Sequence, residues 1–197
     1  MTTAYHFIGP TLRDGRPIPP DGEWLTHDGP VDLCVSGLHA SEHPFDALAW
    51  APGETLCLVE CQDIVAGIDS KFVCRRRRII QRFDAPGLLR HFARACAAFV
   101  LHQWPAPAVV GEYLSTGDAE LRAYARSTAR AWARGGRIGA AAWSAAWAAT
   151  HEVRHAPLYD AAPSAWHAAR AARAAGATLD VQRDLFARLV HDAMGAA

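Results

Sequence analysis

Residues 36–53 read SGLHASEHPFDALAWAPG, and the rest of the first half of the chain is arranged around them. They follow an apolar run, 31–35, that we predict to be a strand, and they lead into a second one, 55–61. Between the two runs, Ser41 is placed to cap a short helix, and Pro52–Gly53 is placed to end it. The pattern therefore predicts strand, polar turn, helix, strand. Polar side chains gathered at such a turn are typical of a functional site.

Further short apolar segments, separated by turn residues, lie on both sides of this stretch. Asp14-Gly15 is typical of a hairpin turn. Alternation in 55–61 puts Cys57, Val59 and Cys61 on one face of a strand. The other predicted strands are Tyr5–Ile8, a brief edge strand at 23–25, and 72–83. We predict a small, mostly antiparallel sheet domain with one short helix over residues 1–83.

After Asp84 the composition changes to Ala-rich segments with apolar residues at helical spacing. Alanine carries no helix penalty, so these segments favour helices, which still need packing partners. The predicted helices are 86–103, 108–114, 119–134, 137–153, 162–175 and 179–194. The fold class is therefore α+β, with an Ala-rich all-helical domain over 84–197.

Composition excludes several classes of protein. Twenty basic and twenty acidic residues give a formal net charge of zero, so no global field attracts nucleic acid or membranes. The five cysteines are odd in number and lack the spacing of a disulfide framework, so we interpret them as small buried residues in a reducing compartment. No segment has the apolar length of a membrane span or the pattern of a signal peptide, which predicts a cytoplasmic protein.

Three histidines are the first candidates for chemistry. His39 and His43 have the i, i+4 spacing of metal ligands only if both lie on one helix, and His39 precedes the predicted cap. We therefore predict no metal site. His39 is either a substrate contact or a residue hydrogen-bonded in the turn. His6, flanked by aromatic residues in the first strand, is either a binding residue or a satisfied residue of the sheet.

Two sets of arginines are candidate anion sites. In a strand, Arg75–Arg78 alternate between faces, which favours a solvated or salt-bridged strand over a phosphate cleft. Arg122, Arg126, Arg130 and Arg134 recur every four residues and form one stripe on a predicted helix. This stripe indicates either a protein or nucleic-acid partner or a plain exposed face.

Nearly the whole chain resembles an uncharacterised family found in phage and bacterial genomes. The shared features are the turn at 34–41, the helix and its end at 46–53, and the Ala-rich tail after Leu121. The resemblance implies this organisation and a phage or mobile-element setting. It implies no activity.

The first domain also resembles ADP-ribosyltransferases, through 37–41 followed by 45–50. This resemblance implies NAD as substrate and cleavage of its nicotinamide–ribose bond. It implies that His6 is the early-strand residue that holds the ribose, and that His39 replaces the tyrosine that stacks on nicotinamide. The late-strand glutamate of the family has no match here.

The residues expected beside the NAD in that interpretation are Tyr5, Gly37 and Ser41. The alternative function is a non-enzymatic interaction module. It would bind a protein or nucleic acid through the arginine- and tryptophan-bearing helices.

Overall fold

The computed structural model describes residues 1–133, 149 and 161–195. It confirms the α+β class, with an antiparallel sheet of five strands followed by helices. The described residues form two compact units. The first comprises Met1–Ala85 and the end of the last helix, from Val190 onward. The second lies between Pro86 and Leu189.

The first unit is built on one sheet. Its elements are β1 (Thr2–Ile8), β2 (Trp24–Thr26), β3 (Leu38–Ala40), α1 (Pro44–Leu48), β4 (Thr55–Ile68) and β5 (Lys71–Asp84). The strands are ordered β1-β4-β5-β2, and β3 also pairs with β5. Since β4 occupies one edge of β5, β3 and β2 lie one after the other along the opposite edge, against Phe72–Cys74 and Arg76–Arg78 respectively.

A single residue pair closes this sheet on itself. Tyr5 of β1 and Ser41, just after β3, exchange both backbone hydrogen bonds, at 2.8 and 3.0 Å. The strands therefore curl around an apolar interior. Its buried members are Ala4, Ile8, Leu38, Ala40, Cys57, Val59, Cys61, Phe72, Cys74 and Ile79.

The predicted strand at 31–35 is wrong, because these residues form a turn. The Asp32 carbonyl accepts hydrogen bonds from the Val35 and Ser36 amides, and Cys34 has a φ of 73°. Val35 is 65% exposed, and Cys34 is also exposed rather than buried as predicted. The strand comes later, in β3, where two residues reach the interior. A short apolar run does not specify a strand without a partner, and this one turns back on itself.

The predicted N-cap of α1 is also wrong. Ser41 is held in extended pairing by β1, so it lies too early to cap the helix. His43 takes that position, and its Nδ1 accepts a hydrogen bond from the Phe45 amide at 3.2 Å. Pro44 is the first helical residue, as expected for a residue with no amide hydrogen to satisfy.

The second unit consists of helices. They are α2 (Pro86–Phe99), a 3-10 turn (Leu101–Gln103), α3 (Ala108–Thr116), α4 (Ala119–Ala133), α5 (Ala161–Ala174) and α6 (Leu179–Gly195). The rings of Phe92 and Phe186 meet edge to face with centroids 4.8 Å apart, which ties α2 to α6. The predicted helix at 137–153 lies, apart from residue 149, outside the described residues. Among the helices described, none combines the length and apolar character that crossing a bilayer requires.

Candidate functional site

The candidate site lies where β1 meets β3. Tyr5 and Ser41 are backbone partners there, His6 follows Tyr5 in β1, and Gly37 directly precedes β3. The fifth predicted residue, His39, is at the centre of β3. The fold therefore brings close together the segments that carry all five residues predicted for the site. They come from segments about thirty residues apart, so only closure of the sheet unites them.

His6 shares its face of β1 with Ala4 and Ile8, which belong to the interior. The pKa of His6 is held well below its usual value, mainly by burial and then by the positive charge of Arg77. At neutral pH the His6 ring is therefore uncharged. An uncharged imidazole offers one donor and one acceptor to a ligand.

His39 is tied to the turn that precedes it. Its Nε2 accepts a hydrogen bond from the Cys34 amide at 3.0 Å, which assigns the proton of the neutral ring to Nδ1. Burial, and then the nearby charge of Lys71, lowers the pKa of His39, while the Gly37 carbonyl raises it. His39 therefore has a structural role in the turn and lies beside a lysine.

Arg77 is the most unusual residue of the site. Its side chain is only 6% exposed, and it donates a hydrogen bond to the His39 carbonyl. Burial lowers its pKa, and the thiols of Cys61 and Cys74 act in the opposite direction. Within the described part of the chain, no carboxylate forms an ion pair with it. A buried guanidinium with five donors and no acid partner is costly, unless an anion completes the site.

Lys71 adds a second cation, and it is the single lysine of the sequence. It is 7% exposed, and its Nζ lies 3.4 Å from the centroid of the Trp50 ring. That distance is typical of a cation–π contact. The Trp50 side chain is itself 53% exposed, so the indole is accessible to a ligand ring.

Two further predicted site residues, Ser41 and Gly37, also have structural roles. The Ser41 hydroxyl donates a hydrogen bond to the Ser70 carbonyl at 2.7 Å, and the residue is 2% exposed. Gly37 has a φ of 104°, and a Cβ there would lie 2.6 Å from Cγ2 of Val73. Both residues shape the site, and neither presents a side chain to it.

Sequence reasoning missed Arg77, Lys71 and Trp50. The sequence did not distinguish Arg77 from the other arginines of the run Arg75–Arg78, whose side chains make other contacts. Arg78 pairs with Glu60, and the guanidinium groups of Arg76 and Arg78 lie 4.7 and 4.9 Å from the centroid of the Trp24 ring. The usable signal for Lys71 was its uniqueness in a chain rich in arginine.

The electrostatics of the site are one-sided. The charged side chains that lower the pKa values of His6 and His39 are all basic: Arg77 acts on both, and Lys71 and Arg13 act on His39. In the described ranges, no three His, Cys, Asp or Glu side chains come together as metal ligands. The arrangement therefore fits an anionic ligand that also carries a ring for Trp50.

The helical arginine stripe has a mixed environment. Arg122 and Arg126 are half-buried and engaged with other groups, and Arg130 is exposed. Arg134, Trp143 and Trp147 lie outside the described residues. Partner binding through this stripe stays a prediction.

Residues 2–91 match the family model of a domain of unknown function, DUF7666, which covers the five strands of the sheet, α1 and the start of α2. This match is consistent with an uncharacterised family. No curated protein and no solved structure matches the chain.

Proposed function

We propose that the first unit is an ADP-ribosyltransferase-like module that binds NAD. The observation that carries the proposal is the buried Arg77, which donates a hydrogen bond to the His39 carbonyl and lowers the pKa of His6 where the sheet closes. The sequence resemblance pointed to the two histidines. The buried guanidinium supplies the counter-charge that a pyrophosphate needs.

The chemistry of NAD suits this set of groups. Its pyrophosphate is anionic, and Arg77, Lys71 and Arg13 are the cations near the histidines. Its two bases are flat rings, and the exposed Trp50 offers a stacking surface over Lys71. Uncharged His6 is able to hydrogen-bond a ribose hydroxyl or a carboxamide.

The same electrostatics favour binding over bond cleavage. Breaking the nicotinamide–ribose bond leaves a positive charge on the ribose, which a nearby carboxylate would stabilise. The charged side chains near the two histidines are instead basic. Glu60, the nearest candidate in sequence, pairs with Arg78. We therefore expect NAD to bind without rapid release of nicotinamide.

The test is thermal denaturation of the full chain with increasing NAD. A ligand that binds only the folded state adds about 2.7 kcal/mol to the free energy of unfolding at one hundred times its Kd. Nicotinamide release is followed in parallel. Binding with little release supports the proposal, whereas release at typical enzymatic rates would show a transferase despite the missing acid. No shift in melting temperature at millimolar NAD would contradict binding.

Matched variants separate the site from the fold. His39→Gln keeps an acceptor for the Cys34 amide but removes the ring, and Arg77→Met removes the charge but keeps an apolar stem. Arg77→Met should bind NAD at least about tenfold more weakly, the value of one lost charge-assisted hydrogen bond. His39→Gln should also bind NAD more weakly, because it loses the ring as a stacking surface. Arg130→Met, on the exposed part of α4, is the control and should bind like the original chain.

A further inference from the structure

The far half of the β4–β5 hairpin leaves one strand edge uncovered. β1 pairs with β4 only over Thr55–Cys61, whereas β4 continues to Ile68. β5 pairs with one side of the remaining segment. No other strand of the described residues pairs with its second side. An edge of this kind presents backbone N–H and C=O groups, at alternate residues, to an incoming strand.

We call this segment, Asp63–Ile68, the hairpin edge. All its residues are exposed, and Ile64, Val65 and Ile68 are 47, 50 and 55% exposed. The residues that begin β5, 71–74, are buried by contrast. Clustered aliphatic side chains on an unpaired edge are a hazard for a protein unless something covers them.

The backbone of the hairpin edge is irregular, which limits the strands that can pair with it. Asp63 has a φ of 55°, and the register with β5 shifts between Ile64 and Ala66. Bulges of this kind twist an edge and restrict the strands that fit it. A short, specific partner strand is therefore favoured over an extended sheet.

The charges at the hairpin edge distinguish between two possible partners, a second copy of the chain and a different strand with basic residues. Asp63 and Asp69 bracket the apolar residues, and neither forms an ion pair with another described side chain. Antiparallel pairing with a second copy would bring the carboxylates of both copies together, which is unfavourable. A strand with basic residues at its ends would be attracted instead.

We propose that the hairpin edge binds an extended peptide by strand addition. The peptide carries aliphatic side chains at alternate positions and Lys or Arg at both ends. Backbone hydrogen bonds hold it along β4. Ile64, which pairs with Cys74, and Ile68, which pairs with Lys71, contact its side chains on opposite faces of the sheet, and the two carboxylates select its charge.

Fluorescence anisotropy with the full chain tests this proposal. The probe is a labelled peptide of alternating Thr and Val with two Lys at each end, compared with the same peptide ending in Glu. The basic peptide should bind at least about tenfold more tightly, from two favourable charge pairs replaced by two unfavourable ones. A peptide N-methylated at every internal amide keeps its charge but should lose binding, because neither of its edges is able to pair with the hairpin edge.

Protein variants complete the design. Asp63→Asn, which tolerates the left-handed backbone, combined with Asp69→Lys should weaken the preference for the basic peptide or reverse it. Asp184→Lys, an equal charge change to that at Asp69 but on an exposed part of α6, should leave the preference unchanged.

Three results would overturn the proposal. They are equal affinity for the two peptides, undiminished binding of the N-methylated peptide, and no binding at millimolar peptide. Sedimentation provides a further test. A dimer that Val65→Lys abolishes would assign the edge to a second copy and also overturn it.

Discussion

Acidification should destabilise the first unit through His6. The folded protein holds the pKa of His6 well below its ordinary value of about 6.5, because of burial and the nearby charge of Arg77. In the unfolded chain the same ring has an ordinary pKa. Below about pH 6.5 the unfolded chain therefore binds a proton that the folded chain does not, so the free energy of unfolding falls as the pH falls.

The magnitude follows from one proton. The stability contributed by uncharged His6 is fully present above pH 6.5. It declines by up to about 1.4 kcal/mol for each pH unit below that value, until the folded ring also protonates. Other groups titrate in this range, so the quantity to compare is the difference in slope between the original chain and His6→Gln.

Urea denaturation followed by circular dichroism at several pH values from 7.5 to 5 measures that difference. The original chain should lose stability on acidification more steeply than His6→Gln. His167→Gln, which removes an exposed ring on α5, should retain the original slope. Identical slopes for the original chain and His6→Gln would refute a lowered pKa of His6 in the folded protein.

Three other perturbations are expected to have distinct effects. Gly37→Ala should lower the free energy of unfolding by about 1–3 kcal/mol in urea denaturation, because the left-handed backbone disfavours a Cβ and Val73 lies in its way; an unchanged midpoint would show that the turn relaxes. Phe92→Ala should cost about 3–5 kcal/mol, since it removes a fully buried ring from its contact with Phe186; a loss below 1 kcal/mol would contradict the packing of α2 on α6. In the native protein, a thiol reagent should modify Cys34 quickly and the other cysteines only after unfolding; two or more fast thiols would contradict their burial. The slow cysteines include Cys57 and Cys96, because burial raises their pKa values to about 11 and about 12.

The sequence signals that succeeded were the long-range regularities. Alternation in 55–61 correctly placed Cys57, Val59 and Cys61 on one face of the strand, and the structure shows that this face is the interior one. The change of composition after Asp84 correctly marked the start of α2 at Pro86. Periodicity and composition are properties of the local sequence, so they predict secondary structure without knowledge of the tertiary contacts.

The predictions that failed concern residues whose roles depend on tertiary contacts that the sequence does not reveal. Serine often caps helices, but the backbone of Ser41 pairs with that of Tyr5, so His43 caps the helix instead. Arg77 belongs to a run of four arginines, and only the closure of the sheet makes it the buried one. Residue type therefore predicted which residues belong to the site better than it predicted their roles.

Isothermal titration calorimetry of the full chain with NAD, beside Arg77→Met, measures NAD binding and the contribution of Arg77 to it in one experiment. We expect saturable one-to-one binding to the original chain and binding at least about tenfold weaker to the variant, from loss of a buried charge-assisted contact. Equal binding to both chains, or no heat of binding to the original chain at millimolar NAD, would contradict this expectation.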